Sequence, residues 1–275
     1  MNKTIIDNYA KLKLSALSLP LVVILSIATF LFSKNTLTID SYIKIQEKWF
    51  FFLNAKLSQF PSLQYNLTQF GDALVFLSIL SIFVIYAPKL WEALISASLV
   101  SLLFCPILKK FFSIPRPAAF YDNDNFTIIG KTLSGHNSLP SGHSITVFTI
   151  LTVIAFAFIP KDFKAKILWY ISFIIIGLVL AFTRVGVGAH YPIDVLIGCS
   201  IGYISAILGI FICRKYKMWN WISNRKFYPI FILLFLACGF SLIQKIMKED
   251  LIIFYFALIC LVISLFTITF KYVKK

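Results

Sequence analysis

Charged residues are scarce in this chain: they make up 13% of its 275 residues, against 59% hydrophobic ones, and the mean hydropathy is +0.87. So little polar material cannot cover a water-soluble domain of this size, which excludes that class and leaves a multi-pass membrane protein. Acidic residues are scarcer still, 11 against 26 Lys and Arg. The basic excess is scattered among short connections instead of forming one patch. This argues against a nucleic-acid partner and for a topology signal with affinity for anionic lipid headgroups. Cysteine is sparse and misplaced for cross-linking, because Cys105, Cys199, Cys213, Cys238 and Cys260 lie within or at the edges of apolar runs. A disulfide framework and a paired-cysteine metal site are therefore not indicated, and the five read as packing residues. Internal repeats, low-complexity tracts and composition shifts are missing too, so a single integral membrane domain is expected over residues 1–275.

What the chain has in quantity is apolar runs. A helix needs about 20 apolar residues to cross roughly 30 Å of hydrocarbon. Eight candidate spans fit: Leu14–Phe32, Ala73–Ala87, Ala93–Leu108, Ser144–Ile159, Ile167–Phe182, Ile193–Cys213, Pro229–Ile243 and Leu251–Phe270. Several are short or interrupted. The first follows a basic start, but it is too long for a signal-peptide core and lacks a small-residue cleavage pattern, so it is expected to be retained. An N-terminus on the cytoplasmic side places most of the 26 basic residues in cytoplasmic loops and tails, which favours that orientation. Two long connections, 33–71 and 113–140, then face outward. The first mixes Trp49, Phe50, Phe51 and Phe52 with Lys44, Lys48 and Lys56. It suits either the membrane interface or a helix packed across the outer ends of the bundle.

Histidine is rare as well, with three in the whole chain, and two of them sit in polar clusters that share the outer side. The clusters are KKFFSIPRP at 109–117, PSGH at 140–143 and TRVGVGAHYPID at 183–194. Lys109, Arg116 and Arg184 supply three cations, and guanidinium groups fork two phosphate oxygens. Prolines on both sides of Arg116 restrict its backbone. Ser141 and Gly142 fall where a helix begins, so free N–H groups and the positive end of the helix dipole face an anion. His190 lies four residues before Asp194, whose carboxylate can reach back to one ring nitrogen, fix the tautomer and leave the other free to attack phosphorus. His143, from another helix, can protonate the leaving oxygen.

These three parts, K-x6-R-P at Lys109–Pro117, P-S-G-H at Pro140–His143 and R-x5-H-x3-D at Arg184–Asp194, resemble the three-part signature of the type 2 phosphatidic acid phosphatase (PAP2) superfamily, in order and in spacing. The resemblance covers about half the chain. It implies an all-α polytopic membrane helical bundle with a six-helix core, here within eight spans, a catalytic core at about 73–213 and an extra C-terminal helix pair at about 229–270. It further implies metal-independent, two-step hydrolysis through a phosphohistidine. Phosphate binding is assigned to Lys109, Arg116, Ser141, Gly142 and Arg184. His190 is the nucleophile, His143 the general acid and Asp194 the partner orienting His190. No metal and no other cofactor is expected. One departure is visible: Thr183 stands where the family usually has serine.

Outside the motifs, each polar residue also has a plainer explanation. His136 could grip a substrate headgroup or be a solvated loop residue. Asp72 could touch the site or simply cap a helix. Lys110 reads as an interfacial charge, and Asp122 and Asp124 fall short of a calcium loop. The expected partners are a phosphorylated lipid substrate and membrane lipids, with no obligate protein partner. For a bacterial member of the family the candidates are undecaprenyl pyrophosphate, phosphatidylglycerophosphate, phosphatidic acid and the phosphates of lipid A. Such a protein would lie in the inner membrane with its site facing the periplasm or the exterior. A phosphotransferase using the same phosphohistidine, and a non-enzymatic transporter or scaffold, are the competing readings. A soluble haloperoxidase relative is disfavoured by the apolar composition.

Overall fold

Prolines and capping side chains set where the helices begin. The computed structural model describes residues 1–274 and contains α1 (Asn2–Ala10), α2 (Ser18–Ser33), α3 (Ile39–Leu57), α4 (Pro61–Thr68), α5 (Ala73–Ile79), α6 (Phe83–Tyr86) and α7 (Pro88–Phe112). These are followed by α8 (Pro117–Phe120), α9 (Gly142–Ala157), α10 (Phe163–Gly186), α11 (Pro192–Lys215), α12 (Tyr228–Glu249) and α13 (Ile252–Val273). Pro61, Pro88, Pro117 and Pro192 open their helices, where a missing N–H costs nothing. Thr38, Asp72, Ser141 and Asp162 cap α3, α5, α9 and α10 by accepting a first-turn amide. Asp72 is thus the helix cap of the plainer reading, and its other carboxylate oxygen lies 2.8 Å from Lys245 Nζ of α12.

Six helical stretches are long and apolar enough to cross a membrane: Leu14–Ser33, Pro88–Phe120, Phe163–Gly186, Pro192–Lys215, Arg225–Glu249 and Ile252–Val273. The protein is a multi-pass helical membrane bundle. α9 is shorter, at 16 residues. The expected single span over Ala73–Ala87 is corrected by the structure. That run is broken into α5 and α6 by turns at residues 80–82, yet it still runs from one end of the bundle to the other. Its start is tied to Lys245 near the histidines, and Ala87 leads directly into α7 at the far end. Irregular backbone at membrane depth is tolerated only where protein covers it. Here the Trp91 indole donates to Leu80 O at 3.0 Å and Ser81 Oγ donates to Ser264 Oγ of α13 at 2.6 Å. The C-terminal pair α12 and α13 packs on α5 and supplies that cover.

At the end away from the histidines, α1 folds under the bundle. Asn8 Nδ2 donates to Ala157 O at 2.9 Å, and Asn2 Oδ1 accepts from Lys89 N. At the histidine end, α3 and α4 lie over the helix termini. The buried stripe Tyr42, Gln46, Phe50 and Asn54 of α3, at four-residue spacing, faces the bundle, while Trp49 and Phe52 are 62% and 51% exposed. Packing across the ends of the bundle is therefore realised on one face of the helix, and aromatic side chains are left exposed on the other.

The centre of the bundle is α11, packed on α9 and α7. Close approach requires small residues on its inner side. A Cβ at Gly198 would lie 2.7 Å from Ser141 O, one at Gly202 2.4 Å from Ile145 O, and one at Gly209 2.4 Å from Ala97 Cα. A side chain at Gly198 would displace the first turn of α9, which carries His143.

Candidate active site

Four helix ends and two loops converge at the histidine end. α7 runs out at Lys109, the following loop carries Arg116, α9 begins beside His143, α10 ends with Arg184, and the turn into α11 carries His190. That turn is held by its own backbone, since Arg184 O accepts from both Ala189 N and His190 N. Gly188 adopts φ +76°, the left-handed region that favours glycine, and a Cβ there would meet Thr127 O at 2.7 Å.

The sequence-predicted residues are brought together at this end of the bundle. Arg116 and Arg184 are 8% and 6% exposed, His190 1% and Asp194 0%. Lys109 is half-buried and its Nζ donates to Asn137 O at 2.9 Å, whereas Lys110 is exposed. Arg116 donates to Asn137 Oδ1 at 2.7 Å and to Ala189 O at 3.3 Å, and its Nη1 lies 3.3 Å from His190 Nε2. Arg184 Nη1 donates to Thr68 Oγ1 at 2.8 Å, while its buried Nε has no partner among the described residues. The half-buried His143 packs against Gly71, where a Cβ would come within 2.4 Å of the histidine Cβ. Ser141 has a structural role as well. Its hydroxyl caps α9 and accepts from Ser144 Oγ at 2.9 Å, and its amide donates to Asp194 O. Accepting in the cap leaves the proton of this hydroxyl free to donate. The first-turn amides of Gly142 and His143 stay free of intrahelical partners.

The contact between His190 and Asp194 also differs from the expectation. The imidazole Nδ1 and the carboxylate Oδ2 are 3.6 Å apart, and Ser138 lies between them, its Oγ 2.6 Å from Oδ2 and 3.3 Å from Nδ1. A hydroxyl has one proton. Donated to the carboxylate, it leaves the serine oxygen to accept from Nδ1–H. Arg116 is a donor only, so Nε2 accepts. Both contacts require the same tautomer, with the lone pair of Nε2 turned toward the cations. Burial, then Arg116, Arg184, Lys109 and His143, hold the His190 ring well below its ordinary pKa of 6.5. The imidazole is neutral at neutral pH. Three cations facing one buried carboxylate leave a positive excess that fits a phosphate, and a neutral ring nitrogen beside it is chemically able to attack phosphorus.

Asp194 is held further by Tyr191 N at 3.0 Å and by Tyr42 Oη at 2.6 Å. Tyr42, Thr68 and Gly71 carry no motif signal. Asn137 and Ser138 do have one, because they immediately precede PSGH in the sequence. His136 is exposed on the same loop, whose Gly135 O accepts from Arg116 N. Thr183 donates to Leu180 O within its own helix at 2.6 Å, so its hydroxyl is turned away from the site. The five cysteines are free, and Cys105 Sγ would lie 3.4 Å from a Cβ at Gly142.

Lys109, Arg116 and Arg184 thus share one end of a helical membrane bundle with two histidines. In this chain, residues 89–221 match the PAP2 superfamily. It is 35% identical over 116 residues to a lipid A 1-phosphatase of Rhizobium johnstonii, covering 41% of this chain and 43% of that one. It is 36% identical over 83 residues to phosphatidylglycerophosphatase B of Haemophilus influenzae, covering 28% and 34%. The matches thus span less than half the length of these curated relatives. The crystal structure of Aquifex aeolicus LpxE superposes with a TM-score of 0.50 at 24% identity, covering 62% of this chain and 96% of that one, a likeness of fold.

Proposed function

We propose that this protein is a lipid phosphatase that hydrolyses a phosphomonoester or pyrophosphate at the membrane surface through a phosphohistidine, without a metal. The observation that carries the reading is the neutral Nε2 of His190, turned toward Arg116 in a buried cluster with Lys109 and Arg184. The cations and the free amides of Gly142 and His143 hold the phosphoryl oxygens. Burial and the cations hold His143 well below its ordinary pKa, and the negative charge of the incoming phosphate raises it so that the ring takes up a proton. Nε2 attacks phosphorus, the bond to the lipid oxygen breaks, and His143 gives that oxygen its proton. The positive charge that develops on the His190 ring is balanced by Asp194 through Ser138. His143 then takes a proton from water, the hydroxide attacks the phosphohistidine, and inorganic phosphate leaves with His190 restored.

The relatives' names, lipid A 1-phosphatase and phosphatidylglycerophosphatase B, support a lipid carrying a phosphate on its headgroup. Lipid A and phosphatidylglycerophosphate are the first candidates, followed by undecaprenyl pyrophosphate and phosphatidic acid. The basic residues at the opposite end of the bundle favour an inner membrane placement with that end in the cytoplasm and the histidines facing the periplasm or exterior. The test is phosphate release in EDTA by the detergent-purified protein across these four lipids, with His190→Ala as blank. Release from one or more of them supports hydrolysis and identifies the substrate. Loss of activity in EDTA argues for a metal-dependent reaction, and a phosphoryl group that appears on an added lipid acceptor without free phosphate points to phosphoryl transfer.

A further inference from the structure

Asp194 is fully buried, and its two oxygens are held from different directions. Oδ2 takes Ser138 Oγ from the loop before α9 and Tyr191 N from the start of α11, whereas Oδ1 takes, among the described residues, only the phenol of Tyr42, at 2.6 Å. Tyr42 lies on α3, outside residues 89–221, and is 5% exposed. Burial, reinforced by the neighbouring carboxylate, keeps its phenol protonated far above the ordinary tyrosine range, so it is a permanent donor. One turn further along α3, Gln46 donates to Tyr42 O at 2.9 Å and accepts from Ile193 N at 2.8 Å, which fixes α3 to the first turn of α11. The two contacts lock the position of the phenol relative to the carboxylate.

The χ2 torsion of an aspartate is broad, and without a donor on Oδ1 the carboxylate is restrained from one side only. Rotation would carry Oδ2 away from Ser138 and break the path to His190 Nδ1. We propose that Tyr42 is a positioning residue for the reaction: its phenol pins Asp194 Oδ1 so that Oδ2 faces Ser138 and, through it, His190. The inference rests on the phosphohistidine reading and adds to it a contribution from a helix that lies over the outer end of the family segment. A short hydrogen bond from a neutral hydroxyl to a carboxylate is among the stronger kinds.

The test is a double-mutant cycle with Tyr42→Phe and Asp194→Asn, using phosphate release from whichever of the four lipids the wild type hydrolyses fastest. Tyr42→Phe keeps the ring that packs among Leu31, Phe50 and Tyr191 and removes only the hydroxyl. It is expected to lower kcat about tenfold with KM unchanged, and the loss should vanish in the Asp194→Asn background. Ile43→Val, a packing control at the neighbouring buried position, is expected to keep the wild-type kcat. An unchanged kcat in Tyr42→Phe, an equal loss in the Asp194→Asn background, or an equal loss in Ile43→Val overturns the positioning role. A wild type that releases no phosphate from any of the lipids overturns the phosphatase reading itself, and this inference with it.

Discussion

The two ends of this bundle use the same residue types in opposite ways. At the histidine end Arg116 and Arg184 are almost wholly buried, and they donate to backbone, to Asn137 and to Thr68 within a cluster that contains both motif histidines. At the other end Lys215 and Lys217 are exposed, and Arg214 uses its guanidinium to hold the carbonyls of Leu12 and Ala10 beneath the bundle. Burying a guanidinium is costly unless something compensates for its lost hydration. Two such groups beside one carboxylate, with one Nε left unpartnered, make sense as a site prepared for an anion. The exposed cations at the far end carry no such cost.

Replacing His190 by alanine attacks the difference at its centre. Turnover is expected to fall by at least about a thousandfold while the thermal unfolding midpoint stays close to wild type, and retained turnover would remove His190 as nucleophile. Arg116→Ala and Arg184→Ala each remove a donor from the developing charge, and phosphate release should drop by about 10²–10³-fold. Asp194→Asn acts at one remove from the reacting atoms, and Ser138→Ala removes the bridge. Each should cost about ten- to a hundredfold in kcat, less than His190→Ala, and Ser138→Ala in the Asp194→Asn background should add little.

A pH profile sharpens the same contrast. In the proposed reaction the neutral form of His190 attacks, and burial and the cations depress its pKa below 6.5. The kcat/KM contributed by this group is therefore kept as pH falls through 6.5 and lost only further into acid. A His190 imidazole that titrates above 6.5, read by NMR in the wild type, would contradict the electrostatic account. The smallest effect is expected at the far end, where Lys217→Ala should leave kcat within about twofold of wild type, as exposed substitutions generally do.

Much of this organisation was legible in the chain. The apolar runs predicted six of the long helices, because an uninterrupted hydrophobic stretch has few alternatives in a bilayer. The run at Ala73–Ala87 read as one span because composition does not register a break whose carbonyl is satisfied by an indole eleven residues later. Lys109, Arg116, His143, Arg184, His190 and Asp194 stood out because charged and titratable residues are conspicuous in apolar surroundings, and the motif spacing named them. Ser141 drew a phosphate-binding assignment from the same motif, and the structure adds that its hydroxyl caps α9. Its position before an apolar run fits either use.

The sequence by itself determined that this is a helical membrane protein, where most spans lie, and which few polar residues stand at their ends. Those properties are local: helix formation depends on neighbours three and four positions away, and hydropathy on a window of about twenty residues. Only the tertiary structure decided that Ser138 stands between His190 and Asp194, that Thr68 holds Arg184 across 116 positions of chain, and that Tyr42 reaches Asp194 across 152. Such contacts follow from how glycine-lined helices approach one another and how α3 and α4 fold over their ends, and no local pattern encodes the pairing of two hydroxyls with a carboxylate so far away.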